Sequence, residues 1–499
     1  MKNSTLILAV LAAAAIAALA ACDLLNNLNP AFGDEDLGPL GENQFYAQDI
    51  VTGRYYILTA EMLHEGQTCF VWAEEGSGIT KEQAEEIAGK YDEVIRPVTV
   101  NRFGMKNFQS ISVDKHFDDI LDYADWLADG DEKLTILLLD IQDGYAPLTS
   151  ESYVAGYFFS GNFLEKGKFH SGLGNRTTHY SNGRDMMYID THPGLEEKRV
   201  EQTYATFAHE LQHLINYATF RWLGRWYMMD TWVDEGLSSQ AEYFYLGENP
   251  ADKCQWFNLD PKGTIARGNN FFVWGNHHAE AVLDDYATVY LFFRWLYLQA
   301  DQDMQQDIFE KIITSEYHSF RAVTEMAKKI DSSWDDWGTL LKTWLAANHD
   351  PSNAVYGYKG DEYLQNGRRN TGFQGIRVRP IGGSTALLYP GEGVYSLIDS
   401  PSFTLPSGGE TGIRYANYNS ATGGNVLLTY NTDTNIYGGG IPGQLTGVSP
   451  PVARTLAGDS QAGRFTGPYV MDARDLLGRN LGIPMYDAVP KERRLKAEK

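Results

Sequence analysis

Cysteine is scarce in this 499-residue chain: three are present, at positions 22, 69 and 254, and no two share a C-x-x-C spacing. That excludes a thiolate cage for a metal and a dithiol redox motif. It leaves Cys69 and Cys254 as either one disulfide or two separate buried thiols. Positive charge is also in deficit, with 41 Lys and Arg against 65 Asp and Glu and a formal net charge of -24. Nucleic acid needs a basic face, so it is excluded as a partner. Beyond Ala21 no apolar run is long enough to cross a bilayer. What the chain does have is a high aromatic content, 13%, which together with dispersed acidity describes a well-packed acidic protein with room for two or three domains.

The one long apolar run, Leu6 to Ala21, contains only Leu, Ile, Val and Ala. It is too short and too rich in Ala to favour a stable span and reads as a signal peptide. It ends in Leu19-Ala20-Ala21-Cys22, which resembles the bacterial lipoprotein processing box. That resemblance implies removal of residues 1–21, a lipid on Cys22 that attaches the chain to a membrane, and a place in the bacterial cell envelope. The alternative is an ordinary secretory signal cut near the same alanines. Residues 22–43, rich in Asn, Asp, Gly and Pro, read as a tether.

Further along, short apolar runs between Gln44 and Trp72 predict two or three strands. Thr80-Lys81-Glu82-Gln83 has capping-box spacing, and Ala84, Ile87, Ala88, Tyr91 and Ile95 continue a helix that Pro97 is expected to stop. A second helix is expected over Val113 to Leu127. Asp129-Gly130-Asp131 lacks the other ligand positions of an EF-hand and reads as a turn before a buried strand over Leu134 to Leu139. Strands over Tyr153 to Phe159 and Met186 to Ile189 lead to a helix from about Glu196 to Ala218. Its stripe of Tyr204, Phe207, Leu211, Leu214 and Ile215 predicts burial. Another helix runs from Asp234 to near Gly247, and Ala279 to Asn348 is mainly helical. The fold class is therefore α+β, with one domain over 44–350, a β-rich domain over 351–490 and a frayed basic tail over 491–499.

The chemistry concentrates in His209-Glu210-Leu211-Gln212-His213. Residues four apart on a helix share a face, so both imidazoles can reach one ion, and zinc is the cofactor this spacing calls for. Zinc lowers the pKa of a water towards neutrality, and the resemblance of this spacing to that of zinc peptidases implies that Glu210 takes the proton and returns it to a leaving amine. A catalytic zinc needs a third protein ligand and one open position. Glu235, in Trp232-Val233-Asp234-Glu235-Gly236-Leu237-Ser238 at the start of the next predicted helix, is the candidate. Glu242, on nearly the same face, is a candidate to hydrogen-bond a ligand histidine from behind. The reverse assignment, with Glu242 as ligand and Glu235 behind, stays open. An all-histidine site of the metzincin spacing would need Gly and His where Tyr217 to Phe220 stand.

These residues resemble the gluzincin group of zinc peptidases, in which the Glu of an Asn-Glu-Gly segment is the third ligand. Segments Tyr91 to Ile95, Asp140 to Tyr145, Ala155 to Phe158 and Met187 to Asp190 extend the similarity to the hyicolysin-type metallopeptidases, from the first strands to about Asn348. The resemblance implies a zincin-like catalytic domain: a mixed N-terminal sheet, the active-site helix and a helical subdomain. It implies a protein or peptide substrate and a Tyr or His downstream of the third ligand to stabilise the oxyanion. Tyr286 is favoured for that role over His277, His278 and Tyr290, against the plainer reading of a core aromatic. Asp234 stands where Asn is commoner, a difference expected to matter little. The competing function is a catalytically inactive zincin-like lipoprotein that acts in surface binding or adhesion through its C-terminal domain.

Overall fold

The computed structural model describes residues 36–104, 133–146, 153–164, 166–171, 177–223, 228–261, 263–268, 271–272, 282–381, 388, 390–398, 403–406, 412–420 and 424–434. Cys22 and the signal run, the helix expected over 113–127, the turn at 129–131, His277, His278 and the basic tail lie outside the described residues. The described chain mixes α and β structure.

Strands β1 (Gln44–Gln48), β2 (Tyr55–Glu65), β3 (Cys69–Glu74), β4 (Leu134–Leu139), β8 (Met186–Asp190) and β5 (Gly156–Phe158) form one sheet in that spatial order. The first three pair antiparallel, β3, β4 and β8 run parallel, and β5 returns antiparallel on β8 with Tyr157 opposite Tyr188. Every residue of β4 is buried. The cause is that both faces are covered: Leu134, Ile136 and Leu138 join the core under the helices, whereas Leu137 and Leu139 join a second cluster with Phe45, Leu58 and Tyr157. A hairpin of β6 (Gly167–Ser171) and β7 (Thr177–Ser181) stands apart from this sheet and was not anticipated from sequence.

Helix α1 (Lys81–Lys90) starts at the expected capping box, with Thr80 and Gln83 bonded reciprocally. Pro97 does not stop it. A π-helical turn, Tyr91–Ile95, carries the chain straight into α2 (Arg96–Phe103), where Pro97 occupies the first turn. The Arg96 N–H bonds back to the Tyr91 carbonyl in the π-helical register, and Pro97, which has no N–H, follows at the change to the α-helical register.

Helices α3 (Val200–Trp222), α4 (Thr231–Leu246), α5 (Ala251–Leu259) and α6 (Val282–Gln299) follow, then α7 (Ile308–Ile313), α8 (Phe320–Ile330) and α9 (Trp337–His349). Gly247 closes α4 in the left-handed conformation at φ 68°. After a short helix α10 (Glu362–Asn366), strands β9 (Gly393–Leu397), β10 (Ile413–Ser420) and β11 (Gly424–Asn431) make a small sheet in the order β10-β11-β9. It packs on α9: the Tyr395 hydroxyl donates to the Leu345 carbonyl at 2.8 Å, and Val426, Leu428 and Tyr430 share a buried cluster with Leu341 and Leu345. Cys69 and Cys254 are both free thiols, buried in β3 and α5, and burial pushes Cys69 up to about 12. Among the described residues no helix is long and apolar enough to cross a membrane.

Candidate metal centre

Helix α3 carries two stripes. Its apolar one, Tyr204, Phe207, Leu211, Leu214 and Ile215, enters the core as its spacing predicts. The polar one, His209, Gln212, His213 and Asn216, turns towards α4, and all four side chains are buried. Partners run in opposite directions along the two helices, so the pair is antiparallel. Asn216 donates to Asp234 Oδ1, Gln212 Oε1 accepts from Ser238, and His209 Nδ1 lies 2.6 Å from Glu242 Oε1.

That register brings Glu235 across from both histidines. Its Oε2 is 3.3 Å from His209 Nε2 and 3.5 Å from His213 Nε2. Ligands at roughly 2.0–2.1 Å from a tetrahedral ion stand about 3.3–3.4 Å apart, so both of these separations are close to the edge of one coordination shell. Helix α4 reaches this position because residue 236 is glycine. A Cβ there would meet the Phe293 ring of α6 at 2.1 Å.

The atoms behind the imidazoles set which nitrogen faces inward. Ser238 Oγ has a single proton and Gln212 Oε1 accepts it, so at 2.8 Å from His213 Nδ1 the hydroxyl accepts the ring N–H. Glu242 does the same for His209. Burial alone would raise the Glu242 carboxyl, but the Lys253 ammonium and the His209 contact outweigh it and hold the group below the usual carboxylate range. An ionised carboxylate only accepts, so His209 Nδ1 donates. Both rings therefore present the Nε2 lone pair towards Glu235 Oε2. Three electron-pair donors converging on one point fit a cation and suit zinc by type.

Glu210 has a different environment. Its Oε2 accepts the Phe158 N–H of β5 at 2.9 Å, which ties it to the sheet edge beside α3. His209, Glu210 and His213 each offer an atom to a group within 4.8 Å. Glu235 Oε2 thus faces both imidazole Nε2 atoms, whereas Glu210 is engaged with β5. Tyr286, on α6, is buried with its ring centroid 6.3 Å from that of His209. Tyr290, one turn on, gives its hydroxyl proton to Asn249 Oδ1 at 2.6 Å.

Sequence reasoning overlooked four contributors. Ser238 stood inside the quoted segment, and its spacing of one turn from Glu235 was the available signal. Asp234, expected to matter little, accepts from Asn216 and lies 3.3 Å from His213 Nδ1, so it supports the same ring as Ser238. The Phe158 N–H had no local signal because β5 brings it in from a remote part of the chain, and Lys253, on the helix that follows α4, belongs to no motif.

No protein-family model matches the chain. It is 27% identical over 311 residues to the neutral metalloprotease ShpI of Staphylococcus hyicus, an alignment that covers 60% of this chain and 61% of that protein. The chain thus spans about three fifths of the length of the curated relative it matches. This similarity, with the buried His-Glu-His group, supports a relationship to metallopeptidases.

Proposed function

We propose that the chain is a zinc-dependent peptidase of the gluzincin group and hyicolysin type, with a zincin-like catalytic domain over 44–350 and a β-rich domain over 351–490. His209, His213 and Glu235 hold the metal, Glu242 supports His209, and Glu210 is the general base. The observation that carries this reading is the convergence of two Nε2 atoms and one carboxylate oxygen at 3.3 and 3.5 Å. The similarity to a metalloprotease points the same way. When bound, zinc supplies a Lewis acid that brings the pKa of a water towards neutrality and polarises the scissile carbonyl.

The residues of the chain do the rest. With Oε2 held by the Phe158 N–H, Glu210 uses its other oxygen to take the proton of the attacking water and then delivers it to the leaving amine. Tyr286 is the candidate donor to the oxyanion that forms as the carbonyl is attacked. The substrate is a protein or peptide outside the cytosol, met at the cell envelope, where a lipid on Cys22 anchors the chain.

The test is bound zinc and peptide hydrolysis measured on the native protein and on Glu210→Gln. The variant is expected to keep stoichiometric zinc and to lose at least about 100-fold in kcat/KM, the lower range of a general base. Native-like hydrolysis by Glu210→Gln, or a native protein without zinc, rejects the assignment.

A further inference from the structure

Lys253 is a buried lysine in an unusual place. It lies in the first turn of α5, where the aligned peptide dipoles disfavour a cation, and only 9% of it is exposed. Lysine is almost never this deeply buried without a partner. Its ammonium donates to Glu242 Oε2, while the other oxygen of the same carboxylate, Oε1, lies 2.6 Å from His209 Nδ1. The path Lys253, Glu242, His209 thus crosses from α5 through α4 to α3 and ends on the imidazole whose far nitrogen faces Glu235.

We propose that Lys253 is a positioning residue for the metal centre, clamping one oxygen of Glu242 so that the other stays on His209 Nδ1 and aims His209 Nε2 at the ion. The proposal rests on the zinc site described above. A carboxylate has two oxygens and rotates about its Cγ–Cδ bond, so a single contact to an imidazole leaves that torsion soft. A second, charge-assisted contact to the opposite oxygen fixes it. Among the described residues of this helical region Arg294 is the other buried Lys or Arg, and it is already committed to Asp361 at 2.9 Å. Asp252, next to Lys253, adds a further carboxylate that favours the ammonium form. The role is architectural: Lys253 touches neither substrate nor metal.

The experiment measures zinc affinity by chelator competition on the full chain, for the native protein, Lys253→Met, Lys253→Arg, Glu242→Gln and the Glu242→Gln/Lys253→Met double variant. Metal-free melting curves show which variants fold. Loss of a partner behind a metal ligand typically weakens binding by about 10- to 100-fold, and that is expected for Lys253→Met, with Lys253→Arg recovering most of it. In the Glu242→Gln background, adding Lys253→Met is expected to change affinity by less than about threefold, because the lysine acts through that carboxylate. A zinc affinity of Lys253→Met within about twofold of native overturns the proposal, as does an equal loss in both backgrounds. If Lys253→Met alone does not fold, Glu242→Gln is compared with the double variant, which carries no lone buried charge, and a difference above about threefold overturns the proposal. A native protein that binds no zinc removes the metal site itself. Tight native binding with indifferent Lys253 variants removes only the role of Lys253.

Discussion

At the scale of single residues, the motif identifies the donors, but neighbours decide whether they meet. Gly236 is the clearest case. A methyl group there would sit 2.1 Å from Phe293 Cδ2, and the Phe293 ring cannot yield easily because Trp232, Phe292 and Phe309 surround it at centroid distances of 5.8, 5.3 and 6.4 Å. Gly236→Ala gains about 1 kcal/mol in helix propensity and loses about 1–3 kcal/mol to overpacking, with larger losses expected in so rigid a setting. The variant is expected to melt earlier and to bind zinc more weakly, since α4 must move away from α6 with Glu235 next to the clash. An unchanged denaturation midpoint and zinc affinity would count against the close-approach account. The grouping of His209, His213 and Glu235 was legible because ligand chemistry restricts residue type and spacing. Lys253 was not, because an ammonium behind a ligand obeys no spacing rule.

At the scale of elements, local patterns read well where the local term dominates. The stripe of α3, the capping box of α1 and the glycine cap of α4 are each settled within a few residues, and each was anticipated. Pro97 was misread because its effect depends on the π-helical turn before it, a choice made by the packing of Tyr91 and Ile95 into the core. The junction between β8 and α3 offers a test of its own. Asp190 accepts from Gly194 N at 2.8 Å and Ile141 N at 3.1 Å, and burial pushes its carboxyl up to about 7 despite those bonds. The folded protein therefore keeps a proton that the unfolded chain, with a pKa of about 3.9, has lost. By linkage, this group makes stability fall as pH rises from about 4 to about 7 and contributes no slope outside that window. Asp190→Asn removes the titration, so the unfolding free energy of the variant minus that of the native protein should climb across that interval. Urea titrations at several pH values check this, and a difference independent of pH speaks against it.

At the scale of the whole molecule, one buried cluster runs from β3 and β4 through α3, α4 and α6 to α9 and the small C-terminal sheet. The sheet edge at β5 and the helices α3 to α6 meet at the candidate site, with α5 supplying Lys253 from behind. The proposed membrane attachment rests on Cys22 alone. If Cys22 carries a lipid, the native protein should partition into detergent or the membrane fraction and Cys22→Ser into the soluble fraction. A native protein wholly in the soluble fraction would falsify the lipid anchor. By itself, the sequence determined the donor types and the helical phase that puts His209 and His213 on one face, because covalent spacing and helix geometry are local. Only the tertiary structure decided that Glu235 faces both Nε2 atoms, that Glu242 lies behind His209, and that Lys253 holds Glu242. The first two relations depend on the antiparallel register of α3 and α4 and on the close approach at Gly236, which are set by packing between segments far apart in the chain, and the third depends on how α5 sets Lys253 beside α4.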